Sequence, residues 1–183
     1  MNKIIKYLST LISQFSSQKG FTLVEMLIVI GLVGVVAATL LVGINPIDQI
    51  RKSSDAERKS DLAQLQRALE LYYQDNGKYP PSSADFKLYI NNMTLAWGSP
   101  WKPYINSLPK DSSPTLSYQY YSPLTASGQT YYIYASLERG AKDPQVCNQG
   151  NACVSLTTGG GFPPATACGS TCNYAVSSPN VAP

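Results

Sequence analysis

Glu25 is the residue of this chain best placed to do chemistry, because it opens a stretch, residues 26–44, in which nothing else ionises. A carboxylate at the edge of so apolar a run needs a cationic partner, since in low dielectric an isolated charge is costly and a paired one is held strongly. Immediately before it stands Lys19-Gly20-Phe21-Thr22-Leu23-Val24. The second capable group is Cys147, Cys153, Cys168 and Cys172, all in the last forty residues. Their spacings, C-x5-C and C-x3-C, in a sequence without histidine, favour disulfides over a zinc site. Disulfides imply an oxidising, extracytoplasmic compartment, and four cysteines leave three connectivities open.

Catalysis has little to work with. Without histidine there is no Ser-His or Cys-His nucleophile, and no glycine-rich phosphate loop follows a strand. Scattered acids such as Asp75, Asp85 and Asp111 read as cap and turn residues. No catalytic residue, cofactor or metal ligand is assigned. The net charge of +3 comes from Lys3, Lys6 and Lys19; after Gly20 eleven bases face eleven acids. A neutral remainder excludes a dedicated nucleic-acid binder, which needs a basic stripe. The short clusters Arg51-Lys52 and Arg58-Lys59 are interleaved with acids and read as a solvated helix face.

The element that must position Glu25 is a membrane helix. Nineteen uncharged residues at about 1.5 Å each reach about 28 Å, close to a hydrocarbon core of about 30 Å. Twelve of them are Leu, Ile or Val and supply roughly −4 to −7 kcal/mol of insertion free energy, against about 3 for one carboxylate at mid-bilayer. Glu25 is therefore tolerable within a span. A small-residue signal-peptidase site at Val36-Ala37-Ala38, releasing a chain that begins at Thr39, is the alternative processing point.

Beyond Asn45-Pro46, where proline should kink or break the helix, Ile47, Ile50, Leu62, Leu65, Leu69 and Tyr73 recur at helical spacing. They predict an amphipathic helix over residues 45–76, ended by Asn76-Gly77 and Pro80-Pro81. Asp48 with Lys52, and Asp55 with Lys59, are expected to pair on its surface. Ser82-Ser83 can cap a short helix through Asn92. Residues 116–122 and 130–137, rich in Tyr, Thr and Ile with Gly128 between them, predict an antiparallel hairpin whose alternating tyrosines form a core face and a wetted outer face.

A polar leader ending in Lys19-Gly20, then Phe21, then Glu25 at the head of an apolar helix resembles the type IV prepilin processing signal, shared by the pseudopilins of type II secretion. Residues 62–80, L-A-Q-L-Q-R-A-L-E-L-Y-Y-Q-D-N-G-K-Y-P, independently resemble the lower helix of the major, G-type pseudopilins. W-K-P-Y-I-N-S-L-P-K at 101–110 and the hairpin segments extend the likeness over most of residues 20–140. The resemblance implies cleavage after Gly20 by a membrane prepilin peptidase, N-methylation of Phe21, and pairing of Glu25 with the Phe21 amine of a neighbouring subunit. It also implies an α+β, type IV pilin-like fold, a long helix packed on a small antiparallel sheet. Many G-type pseudopilins bind calcium in an acid- and glycine-rich loop after the hairpin. The stretch here, Leu137-Glu138-Arg139-Gly140-Ala141-Lys142-Asp143, is poor in acids and carries two bases.

The chain thus reads as a leader over residues 1–20, a transmembrane and assembly helix over 21–44, an amphipathic helix over 45–76, a globular αβ-loop and hairpin domain over 77–144, and a Cys-, Gly- and Pro-rich tail over 145–183. The tail lies outside the resemblance and reads as a loop-rich surface appendage. The expected function is that of a structural subunit of a type IV pilus or a secretion pseudopilus. The expected partners are further copies in a helical filament, the prepilin peptidase, an inner-membrane assembly platform and membrane lipid. The expected location is the inner membrane, single-pass, with the lysines inside and the C-terminal part outside. A membrane-tethered adhesin or ligand-binding protein that recognises its target with the tail is the reading from another class.

Overall fold

Thr22, extended at φ −76°, ψ 150°, starts the first helix: the Glu25 N–H donates to its Oγ1 at 3.1 Å, filling a donor that the helix start leaves open. The computed structural model describes residues 20–123, 126–157 and 161–182, the side chains of 41–44 excepted. The leader, apart from Gly20, lies outside the described residues. Helix α1 spans Leu23–Ile44 and ends on Asn45, left-handed at φ 45°, ψ 71°, a conformation asparagine tolerates. Pro46 then opens helix α2, Pro46–Asn76, at the position where a missing N–H costs nothing. The helix therefore breaks at Asn45-Pro46. The chain divides into two compact units, Met1–Pro46 and Ile47–Pro183.

In the first unit, α1 is long and apolar enough to cross a membrane over Leu23–Leu40, and every side chain from Phe21 to Leu40 is exposed.

In the second unit, α2 buries Leu62, Leu65, Ala68 and Leu69 along one stripe, each leucine contributing roughly 1.5–3 kcal/mol. Ile47 and Ile50, assigned to the same apolar face by spacing, are 61% and 67% exposed. The stripe meets a three-stranded antiparallel sheet made of β3 (Gln119–Tyr121), β4 (Tyr132–Ala135) and β5 (Tyr174–Ser177), in that order. The hairpin pairs Tyr120 with Ile133, and β4 in turn pairs Ile133 with Val176. Side chains alternate across a strand, so Tyr120, Ile133 and Ala135 join the leucines of α2 while Tyr121, Tyr132 and Tyr134 point the other way.

The second face is not wetted, which corrects the expectation for the tyrosines. Tyr121 and Tyr132 are only 9% exposed and Tyr134 is fully buried, against Cys153, Cys168, Cys172 and Phe162. The tail is accordingly no appendage. It supplies β5 and then covers the far side of the sheet, because three tyrosines facing outward from a short sheet present more apolar surface than water tolerates. Two local disulfides, Cys147–Cys153 and Cys168–Cys172, shape this cover, and at such short spans each contributes about 2 kcal/mol. Backbone bonds stitch them together: Cys153 N–H donates to Cys172 O at 3.1 Å and Cys147 N–H to Asn173 O at 2.7 Å. Gly169, at φ +83°, lies so close to the Thr115 carbonyl that a Cβ would collide with it.

The short helix expected after Ser82-Ser83 is replaced by a miniature hairpin, β1 (Tyr89–Ile90) against β2 (Met93–Thr94). Asn91 and Asn92 both hold positive φ, 51° and 61°, as a tight primed turn requires, and this local preference overrides the helical reading. Ser83 still caps, but a turn: its Oγ accepts from Lys87 N–H at 3.2 Å.

Burial pushes the phenols of Tyr79, Tyr118, Tyr120, Tyr131 and Tyr134 well above their ordinary pKa. A raised folded value means the unfolded chain ionises first, near pH 10, so this contribution to stability is whole below that pH and is lost as pH rises past it. Phenolate absorbance should therefore show these five phenols ionising only with cooperative loss of near-UV circular dichroism. Smooth ionisation of all thirteen tyrosines with that signal intact would contradict the packing.

Candidate functional site

Gly20 and Phe21 precede the helix and its cap, outside any regular element, and Phe21 is 72% exposed. A Cβ at Gly20 would meet nothing within 4 Å, so no packing among the described residues calls for glycine there. Glu25 lies in the first turn of α1, where the helix dipole favours a negative charge, and its side chain is exposed. It is the one acid or base on the membrane-length segment, four residues after Phe21, which lies ahead of the helix.

The second unit holds a site that sequence reasoning did not single out. The Arg58 side chain, only 2% exposed on α2, donates from Nε and Nη2 to the two oxygens of Asp111 at 2.8 and 3.2 Å. It also donates from Nη1 to Asp55 at 2.9 Å and from Nη2 to Glu138 at 2.8 Å. Asp55 in turn accepts the backbone N–H groups of Glu138 and Arg139 at 2.8 and 2.9 Å, and Asp111 accepts that of Ser113 at 2.8 Å. One residue further along the helix, Lys59 Nζ sits 2.7 Å from both Asp143 oxygens, and Asp48 takes Arg139 at 3.4 Å and Lys142 at 3.7 Å. The loop after β4 is thereby clamped to the first half of α2. Desolvation opposes the charge of Arg58, but the bonds to Asp111, Glu138 and Asp55 outweigh it and hold the pKa above its ordinary value. Asp143 is likewise held below the usual carboxylate range: its burial pulls upward, and the bonds from Lys59 and the Gln145 N–H prevail.

These partners correct three expectations. Asp48 pairs with Arg139 and Lys142 of the loop rather than with Lys52, and Asp55 with Arg58 and two loop N–H groups rather than with Lys59, because surface pairs one turn apart yield only a few tenths of a kcal/mol and partly desolvated partners offer more. Arg58 is not on a solvated face. Asp111 is a turn residue and a buried counter-ion at once, whereas Asp75 and Asp85 are exposed. A signal was available: Asp55 and Arg58 continue the Leu62, Leu65, Leu69 stripe at spacings of three and four, and charges in core register must be paired.

The disulfides and the clamp meet at Asn173, whose amide accepts from Leu137 N–H at 2.7 Å and donates to Leu137 O at 3.0 Å. Calcium, which the resemblance attaches to this loop, does not fit the residues present. The carboxylates of Asp55, Asp111 and Glu138 converge on a guanidinium, and among the described residues no acid cluster has the geometry of a metal site.

Residues 45–152 match the family model described as type II secretion system (T2SS), protein G, and residues 15–41 match the prokaryotic N-terminal methylation motif. The chain is 34% identical over 109 residues to the type II secretion system core protein G of Pectobacterium carotovorum subsp. carotovorum, covering 58% of this chain and 68% of that one. It is 30% identical over 108 residues to that of Vibrio cholerae serotype O1, covering 58% and 72%, and 29% identical over 143 residues to that of Pseudomonas aeruginosa, covering 71% and 92%. No solved structure gives a significant match.

Removing one partner of a buried ion network strands the others. Arg58→Ala should cost about 3–5 kcal/mol and lower the melting midpoint by about 10 °C or more. Arg51→Ala, on an exposed residue of the same helix, should leave the midpoint nearly unchanged, and equal effects from the two would refute the clamp.

Proposed function

The chain belongs to the type II secretion system protein G family, and from that membership we propose that it is made as a membrane-inserted prepilin, cut after Gly20, N-methylated on Phe21 and polymerised through α1 as the structural subunit of a pseudopilus. The observation that carries the proposal is α1 itself. A helix whose side chains are nearly all apolar and all exposed from Phe21 to Leu40 is not a soluble element; it needs lipid first and neighbouring helices afterwards. The family is a structural one, and the role asks for no active site.

Cleavage after Gly20 would free an amine at Phe21, four residues before Glu25. Gly20 meets no steric demand within the described chain, in keeping with a residue selected by an outside reader, the prepilin peptidase. The Phe21 ammonium and the Glu25 carboxylate are each expensive alone in an apolar surrounding. An amine of one subunit against the carboxylate of the next satisfies both and sets the axial step of the filament. The lysines ahead of Gly20 favour the leader inside and the second unit outside, facing the oxidising compartment in which Cys147–Cys153 and Cys168–Cys172 persist. Further copies of the chain, membrane lipid and the inner-membrane assembly platform are the partners this route requires.

Mass spectrometry of the mature N-terminus should find methylated Phe21, and Thr39 there instead would refute the processing route. With Glu25→Leu, membrane insertion should persist while filament yield drops about tenfold or more, the effect of losing about 1.4 kcal/mol at each subunit contact. Undiminished filaments from that variant would remove Glu25 from the assembly step.

A further inference from the structure

Asp55 on α2, Asp111 in the segment before β3 and Glu138 in the loop after β4 bring carboxylates from three distant parts of the chain to one point. Such a convergence of oxygens from separate segments is what a hard divalent cation needs, and it would ordinarily repel itself. Here the point is filled by the chain. Arg58 offers donors in a planar fork and spends them at 2.8 to 3.2 Å on all three acids. The backbone N–H groups of Ser113, Glu138 and Arg139 take further carboxylate lone pairs. Charge is nearly balanced throughout the clamp: Asp48, Asp55, Asp111, Glu138 and Asp143 meet Arg58, Lys59, Arg139 and Lys142. A dication entering this arrangement would have to displace the guanidinium from oxygens already bonded to it, and would find a single unbalanced charge rather than two.

We propose that Arg58 is a built-in cation that takes the place of a divalent metal in fastening residues 137–143 to α2, and that this chain folds and assembles independently of calcium. The assembly clause rests on the pseudopilus reading; the folding clause does not. Unlike a bound ion, the guanidinium has no dissociation equilibrium, and its charge survives at every pH at which the fold exists. The loop is therefore fastened at any calcium concentration.

The test is thermal unfolding of the full-length chain in detergent micelles, followed by near-UV circular dichroism in EGTA and across a calcium chloride series. The wild-type midpoint should not move, because only a ligand that binds the folded state raises it. Arg58→Ser, which empties the centre of the three carboxylates, should melt lower in EGTA and regain stability as calcium is added. A variant that is unfolded in EGTA and folds on adding calcium supports the proposal equally. A calcium-dependent rise in the wild-type midpoint, or an Arg58→Ser variant that calcium fails to raise, overturns it. Filaments imaged from cells grown with and without EGTA separate the two readings. Equal yields support calcium-independent assembly, loss in EGTA alone overturns it, and no filaments in either medium beside a flat wild-type melt overturns the pseudopilus reading while the role of Arg58 stands.

Discussion

A guanidinium with almost no contact with water, held among three carboxylates, is the interaction on which the arrangement of the second unit turns. Arg58 lies on α2 one turn before the leucines that carry the sheet, so whatever it grips is held in fixed relation to that sheet. It grips the segment entering β3 and the loop leaving β4, the two ends of the hairpin. Desolvating a lone arginine would be prohibitive, and desolvating three lone acids would be worse; only the complete set is tolerable. That requirement makes the cluster all-or-none and gives a small fold a single register for its longest loop.

The chain reconciles two solvents. Residues 21–40 display apolar side chains outward with Glu25 as the one ionisable group, whereas the second unit turns its aromatic and aliphatic residues inward on both sides of a three-stranded sheet. Charge follows the same division. The acids beyond Asn45 are largely spent on bases or on tyrosine hydroxyls, as Asp111 is on Arg58 at 2.8 Å, Asp61 on Tyr118 at 2.7 Å and Glu70 on Tyr79 at 3.0 Å. A filament of neutral subunits avoids the repulsion that like-charged neighbours would feel along its length.

Features that depend on neighbours in sequence were legible before the fold was known. The apolar length of α1, the break at Asn45-Pro46, the end of α2 at Asn76 and the hairpin of β3 with β4 each follow from local residue types and spacing. What escaped depends on partners far away. The strand Tyr174–Ser177 has no alternation strong enough to announce it, and it becomes a strand because β4 offers an unpaired edge. Asn91-Asn92 is a local signal for positive φ, and it overrides the helix that a cap at Ser82-Ser83 would start. Of the candidate site, the N-terminal residues were visible in the sequence because an uncharged run isolates Glu25. The Arg58 network was hidden because its acids lie up to 80 residues away.

The strand made last completes the sheet. Until β5 pairs, β4 is held along one edge only, by β3, and the cysteine-stapled segment that covers Tyr132 and Tyr134 lacks the strand beside which it is anchored through Cys147 N–H to Asn173 O. Translation delivers the N-terminal helix well before this strand, so a copy that stops short of it carries the apolar helix attached to an unfinished, sticky sheet. A copy that stops before Tyr174 therefore leaves a strand edge and aromatic surface open, the features that lead a chain to aggregate rather than to pack.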